Sequence, residues 1–188
     1  MASRFSGAVL AGGASRRMGV DKAFAEVDGR PMVMVAVDAL VGGGALAVQI
    51  IGGDVDRLVA SGLQAIPDRW PGEGPLGGVI QAIEWGQELA VDHVMVLACD
   101  LPHASSVTVR ALVDRASRSP DSILVPVVEG RAQWLHACWS TRVLRVLQEA
   151  FVDGERAPHR ALEALSLLEV RGLEANSLAD ADWPSDVP

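Results

Sequence analysis

Residues 7–23 read GAVLAGGASRRMGVDKA. The stretch opens as the end of an apolar run, RFSGAVLA, breaks at Gly12 and Gly13, and closes in three cations, Arg16, Arg17 and Lys22. A short apolar run that stops at glycines reads as a buried strand leading into a loop. Beyond this loop, strand-like and helix-like segments alternate to the end of the chain. Pro31 suits the first turn of a helix through about Leu40. ALAVQIIGG is a second strand with a glycine stop. DVDRLVASG is a short helix that Asp54 can cap and Gly62 can end. LQAIP is a third strand, DRWPGEGPLGG a loop, and VIQAIEWGQEL a helix. HVMVLACD is a continuous apolar run, the pattern of a strand covered on both faces. SSVTVRALVDRAS is a helix with Ser105 or Ser106 as its cap. SILVPVV and AQWLHACW read as late strands around a turn at Glu129-Gly130. STRVLRVLQEAF is a helix capped by Ser140, residues 158–165 are a further helix, and LSLLEVRG carries the last strand.

Strands alternating with helices predict an α/β fold, with a mostly parallel sheet and helices on both faces. No internal repeat or long linker divides the chain, so one domain is expected over residues 1–188. In such sheets ligands bind beyond the carboxyl ends of the strands. The strand ends at Ala11, Pro67 and Ala98 each lead into unusual loop chemistry: GGASRRMGVDK, DRWPGEGPLGG and CDLP.

The composition narrows the partners. The chain is 49% hydrophobic and 21% charged, the balance of a globular protein. Its 16 basic and 24 acidic residues leave a net charge of -8. A nucleic-acid duplex or an anionic membrane demands a basic face, so neither is an expected partner. The basic loop is then a local site for a small anion. The N-terminal MASRFSG lacks the apolar core of a signal peptide, and the apolar stretch from Met32 to Ile51 is interrupted by Asp38, Gln49 and Gly42-Gly43-Gly44. A cytoplasmic location is expected. Cys99 and Cys138 are far apart, match no metal spacing and read as buried thiols.

The loops suggest a chemistry. Gly12 and Gly13 leave backbone N–H groups open to close approach, and successive N–H groups form an anion cradle. Arg16, Arg17 and Lys22 add full charges suited to a polyphosphate. Neither a Walker A loop nor a G-x-G-x-x-G loop is present. Asp100 ends a buried strand, with Pro102 stiffening its turn. Beside a polyphosphate, Mg²⁺ takes one or two carboxylates, and Asp100 is the best placed candidate. Gly77, Gly78 and the helix start beyond them can meet an anion or a base edge. The four histidines are scattered, with no His-x-x-x-His spacing. His136 falls in an expected strand, and a structural role is expected for each histidine.

The motifs together resemble one family. LAGGASRRMGVDKA resembles the L-A-G-G-x-S-x-R-M-G-x-D-K signature of the molybdenum cofactor guanylyltransferases, the MobA-like nucleotidyltransferases. PGEGPLGGVIQAI resembles that family's P-G-x-G-P-L-x-G segment, ACDLP its C-D-x-P turn, and QWLHACW its second-half strand. The resemblance implies a Rossmann-like three-layer sandwich of nucleotidyltransferase type. It implies transfer of GMP from GTP to the terminal phosphate of molybdopterin or Mo-molybdopterin, with release of pyrophosphate. Carried over, Leu10, Ala11, Gly12 and Gly13 contact the nucleotide through their backbone, Arg16 and Lys22 stabilise the phosphates, Asp68 binds the guanosine part, and Asp100 holds Mg²⁺. Two positions depart from the family. Ile51-Gly52-Gly53 stands where an asparagine is usual near the base. Asp180 and Asp182 stand where asparagines approach the pterin, so either anions weaken that contact or Asp182 joins the metal as a second ligand. Gly77 and Gly78 remain candidates on the acceptor side. Transient contact with the proteins that deliver and receive the cofactor is a further expectation. The alternatives are a relative using CTP or another phosphorylated acceptor, and a non-catalytic cofactor-binding protein.

Overall fold

The computed structural model describes residues 4–12, 22–161 and 166–181. Gly13, Arg16, Arg17 and Asp182 lie outside the described residues, as do residues 162–165 of the helix expected over 158–165. The chain runs β1 (Phe5–Leu10), β2 (Glu26–Val27), β3 (Arg30–Pro31), α1 (Met32–Gly43), β4 (Val48–Ile51), α2 (Val55–Ala60), β5 (Ala65–Ile66), α3 (Pro75–Glu88), β6 (His93–Ala98), α4 (Ser106–Ala116), β7 (Ile123–Val128), β8 (Arg131–Ala132), β9 (Cys138–Ser140), α5 (Leu144–Val152) and β10 (Leu167–Val170). Among the described residues an eight-stranded sheet has the order β10-β7-β9-β6-β1-β4-β5, with β8 paired to β7. The pairs β1–β4, β1–β6, β4–β5 and β7–β10 are parallel. Of the described inner strands, β9 alone runs against its neighbours, antiparallel to both β6 and β7.

The period of two along the central strands sorts the core into two layers. From β1 and β6, Phe5, Val9, Met95 and Leu97 pack with Leu40 of α1 and Leu112 of α4. From the same strands, Ala8, Leu10, Val94 and Val96 pack with Ile80 of α3 and Leu147 of α5. This is the expected α/β sandwich with helices on both faces of a mostly parallel sheet. Close approach at the helix faces requires missing side chains. A Cβ on Gly43 would lie 2.4 Å from Val109 Cγ1, so α1 and α4 touch where the glycine triplet removes bulk. The triplet therefore does not break the helix at its start, and α1 ends only at Gly44, with φ at 97°.

Several local expectations hold. Asp54 accepts from the Arg57 N–H at 3.1 Å to cap α2, and Ser105 accepts from the Val107 N–H at 3.2 Å to cap α4. Ser140 accepts from the Arg142 N–H at 3.3 Å, capping the 3-10 turn Thr141–Val143 that leads into α5. Both cysteines are buried, and burial pushes the Cys138 thiol up to about 12. Among the described residues no helix is long and apolar enough to cross a membrane.

Three expectations are corrected. α3 starts at Pro75, so Leu76, Gly77 and Gly78 are buried helix residues and not part of a side-chain-poor loop. Gly74 serves as the N-cap and Pro75 takes the first-turn position that proline's missing N–H allows. The AQWLHACW segment is not one strand. Arg131–Ala132 pairs with β7, Trp134–His136 coils into a 3-10 turn, and only Cys138–Ser140 rejoins the sheet. Residues 158–161, the described part of the expected late helix, form a turn.

Candidate active site

The parallel strands β1, β4, β5 and β6 end at one edge of the sheet, and their pairing continues into the loops. Ala11 N–H donates to Ile51 O at 2.9 Å, Gly52 N–H to Ile66 O at 2.9 Å, and Cys99 N–H to Leu10 O at 3.1 Å. The first loop residues are thus held as firmly as the strands. They wall a cavity of about 800 Å³, the size range of a ligand site.

One wall is nearly all backbone. Gly12 sits with Gly52 stacked against it: a Cβ on Gly52 would come within 3.0 Å of Gly12 N and Cα, and Gly52 has φ at 82°. Asp68 closes this wall. Its Oδ1 accepts from the Trp70 N–H at 2.9 Å, forming the turn, while Oδ2 lies 3.3 Å from where a Cβ on Gly12 would stand. One carboxylate oxygen holds the loop and the other faces the glycine. Buried Gln81 fixes the same loop, donating to Pro67 O at 2.9 Å and accepting from the Arg69 N–H at 3.1 Å. Gly74, Pro75 and Gly78 line the cavity, so the first turn of α3 borders it with the positive end of its dipole. Gly78 packs on Leu10, whereas Gly77 packs under Trp70 and is not among the lining residues.

A second part of the lining is made of side chains carried by turns. Arg156 ties it to the Gly/Pro loop: its guanidinium pairs with Glu73 at 2.8 Å and lies 4.0 Å above the Phe151 ring, and its carbonyl accepts from the Leu76 N–H at 3.1 Å. Pro158 and His159 come next on the cavity wall. The rings of Trp134 and His159 stand 6.2 Å apart, centre to centre, as a tilted aromatic pair.

Charge is concentrated between the walls. Lys22 Nζ donates to Asp100 Oδ2 at 2.9 Å. The backbone of Asp100 accepts from the Ala181 N–H at 2.8 Å, which places Asp180 beside it. His136, from the 3-10 turn, lies with its Nε2 3.2 Å from Asp180 Oδ1. One donor atom from each of Asp100, His136 and Asp180 lies within 4.8 Å of the others, an arrangement that can hold a divalent cation.

The match to known proteins has the same extent as this architecture. Residues 7–170 match the family model of the MobA-like NTP transferase domain. The chain belongs to that family. It is a nucleotidyltransferase, as the motif resemblance implied. A relative from Bacillus licheniformis, named probable molybdenum cofactor guanylyltransferase, is 31% identical over 178 residues, covering 93% of this chain and 87% of that protein. A protein of the same name from Bacillus cereus is 27% identical over 186 residues, covering 96% of this chain and 90% of its own length. The solved molybdopterin-guanine dinucleotide biosynthesis protein A from Archaeoglobus fulgidus shares the fold with a TM-score of 0.79 at 19% identity, covering 97% of this chain and 94% of that one.

In this MobA-like chain, the cavity brings together Leu10, Ala11, Gly12, Lys22, Asp68, Gly78, Asp100 and Asp180 of the residues singled out from sequence. Asp180, expected on the acceptor side, lines the cavity beside Asp100. His136, for which a structural role was expected, lies with these two carboxylates. No local pattern marks it: its neighbours are apolar, and its partners are 36 and 44 positions away in the chain.

Proposed function

We propose that the protein transfers GMP from GTP to the terminal phosphate of molybdopterin, releasing pyrophosphate. The observation that carries this reading is the meeting of the Leu10–Gly12 backbone, Lys22 and Asp100 at the carboxyl edge of the parallel strands, in a cavity of about 800 Å³. The names of the Bacillus relatives support a guanylyl donor and the molybdenum cofactor as acceptor. The cluster of two carboxylates and a histidine supports a divalent cation, with Mg²⁺ the ordinary choice beside phosphates. Asp100 and Asp180 would hold it.

An oxygen of the acceptor phosphate attacks the α-phosphorus of GTP. The new phosphorus–oxygen bond forms as the bond to the β-phosphate bridge breaks, and the electron pair leaves with pyrophosphate. The attacking oxygen is already ionised, so no general base is required. When bound, the cation neutralises charge on the phosphates and the leaving group. Lys22 adds a second positive charge to the same oxygens. The Gly12 backbone lets the nucleotide lie close to the sheet edge, and Asp68 accepts from the guanine edge or from a ribose hydroxyl. The Trp134 and His159 rings offer the acceptor aromatic faces. Catalysis then rests on positioning and on charge neutralisation.

Pyrophosphate release tests the reading. The protein is mixed with Mg²⁺, each nucleoside triphosphate in turn, and molybdopterin-loaded carrier. Release is expected with GTP only, and only when the acceptor is present. Equal release with CTP, or none with any nucleotide, overturns the assignment.

A further inference from the structure

We propose that His136 is a third ligand of the divalent cation held by Asp100 and Asp180, so that the site takes a first-row transition ion such as Mn²⁺ in preference to Mg²⁺. The site's position at the phosphates rests on the nucleotidyl-transfer reading; the ligand set does not.

The chemistry starts from the burial of the imidazole. His136 is 2% exposed, and neither ring nitrogen has a hydrogen-bond partner. Buried polar atoms are almost always partnered, because water has been removed from them at a cost. Nε2 lies 3.2 Å from Asp180 Oδ1 but without the alignment of a hydrogen bond. The ring is therefore close to a carboxylate that does not satisfy it, on the cavity wall, with a donor atom of Asp100 within 4.8 Å.

A cation satisfies all three groups at once. With bonds of about 2.1–2.2 Å, neighbouring ligands of an octahedron stand about 3 Å apart and opposite ones about 4.3 Å. The donor atoms of Asp100, His136 and Asp180 lie within 4.8 Å of one another, so small side-chain adjustments bring them onto one ion. The 3-10 turn at Trp134–His136 supplies the ring, and the Ala181–Asp100 backbone bond supplies Asp180, so two of the three ligands are anchored by backbone. The donor set of one nitrogen and two carboxylates decides the metal. Mg²⁺ favours oxygen and releases its water reluctantly. Imidazole nitrogen is bound more strongly by first-row transition ions.

Electron paramagnetic resonance of Mn²⁺ added to the full chain, without nucleotide, tests the assignment. One bound Mn²⁺ is expected, with the pulsed spectrum showing coupling to a directly bound ¹⁴N nucleus. His136→Asn is expected to remove the nitrogen coupling and weaken Mn²⁺ by about tenfold or more, while Mg²⁺, measured by competition, changes less than threefold. His159→Asn, on the same wall, is expected to keep the coupling. Absence of bound Mn²⁺ at about 1 mM, Mn²⁺ bound without nitrogen coupling, or coupling that disappears with His159 and not with His136 overturns the proposal. If His136→Asn does not fold, the wild-type spectrum and the His159 variant decide alone. A chain that binds Mn²⁺ through His136 and releases no pyrophosphate overturns the transfer reading and leaves the ligand assignment standing. A chain that turns over without nitrogen coupling does the reverse.

Discussion

The cavity has two walls of different construction. The wall at β1, β4 and β5 is made from strand ends and glycines, with backbone pairing carried past the last strand residues. The wall at residues 133–136, 157–159 and Asp180 comes from segments outside the strands, and its chemistry is all side chain: Trp134, His136, His159 and Asp180. The first kind of wall suits a ligand whose phosphates and base edge can be read by N–H and C=O groups. The second suits groups that must be gripped by rings and charges. Backbone-built recognition is rigid because the sheet's hydrogen bonds fix it. Turn-built recognition depends on ties between distant segments, here Arg156 to Glu73 and Ala181 to Asp100.

The largest effect is expected where the walls meet. Asp100→Asn should lower turnover by about a thousandfold or more, through loss of charge stabilisation worth several kcal/mol, while circular dichroism shows an intact fold. Near-normal pyrophosphate release would remove Asp100 from the chemistry and leave the two walls without a common centre.

Breaking the backbone wall comes next. Gly52→Ala places a methyl against the Gly12 backbone at a positive φ, at a cost of about 1–3 kcal/mol. The melting temperature should fall and the GTP dissociation constant should rise by about tenfold or more. A lower melting temperature with unchanged GTP affinity would show that the Gly12 segment does not cradle the nucleotide.

Trp134→Ala tests the side-chain wall. Loss of a stacking face worth about 1 kcal/mol should raise the acceptor KM by about fivefold to tenfold and leave GTP affinity within twofold. Equal effects on both substrates would mean that the walls do not divide the work. The smallest effect concerns His93, at the far end of β6 from the cavity. Burial holds its pKa below the ordinary 6.5, with Asp92 opposing that shift. The unfolded chain then binds a proton that the folded chain resists, so stability is lost as pH falls below the unfolded value. Thermal melts from pH 8 to pH 5.5 should show a decline, shallower in His93→Asn, with no matching change in GTP affinity. An unchanged slope in the variant would mean that other groups set the acid limit.

The two walls also differ in how far the sequence reveals them. The strand ends at Ala11, Pro67 and Ala98 are legible because apolar runs closed by glycines and prolines have local causes. The caps at Asp54 and Ser105 are legible for the same reason. The start of α3 is hidden because Gly77 and Gly78 look like loop residues; they are glycines inside the helix because Trp70 and Leu10 occupy the space a Cβ would need. The β2–β3 hairpin carries a local signal, Asp28-Gly29 with φ at 51° and 74°, that falls outside the alternation of strands and helices and is easily taken for part of the basic loop's exit. The reversed direction of β9 is not readable, because Trp139 is as buried there as it would be in a parallel strand and pairing direction is set by distant partners. His136 is hidden for a related reason. Its neighbours in sequence make it look like a core residue, and only the turn at Trp134–His136 brings it to Asp100.

The bond from the Ala181 N–H to the Asp100 carbonyl has a consequence for the order of events on the ribosome. Folding during synthesis proceeds from the N-terminus. The strands that build the backbone wall are complete once residue 98 has emerged, and the parallel sheet around β1 can close then. The carboxylate of Asp180 is translated much later. The backbone wall is therefore made before the acidic cluster receives its second carboxylate.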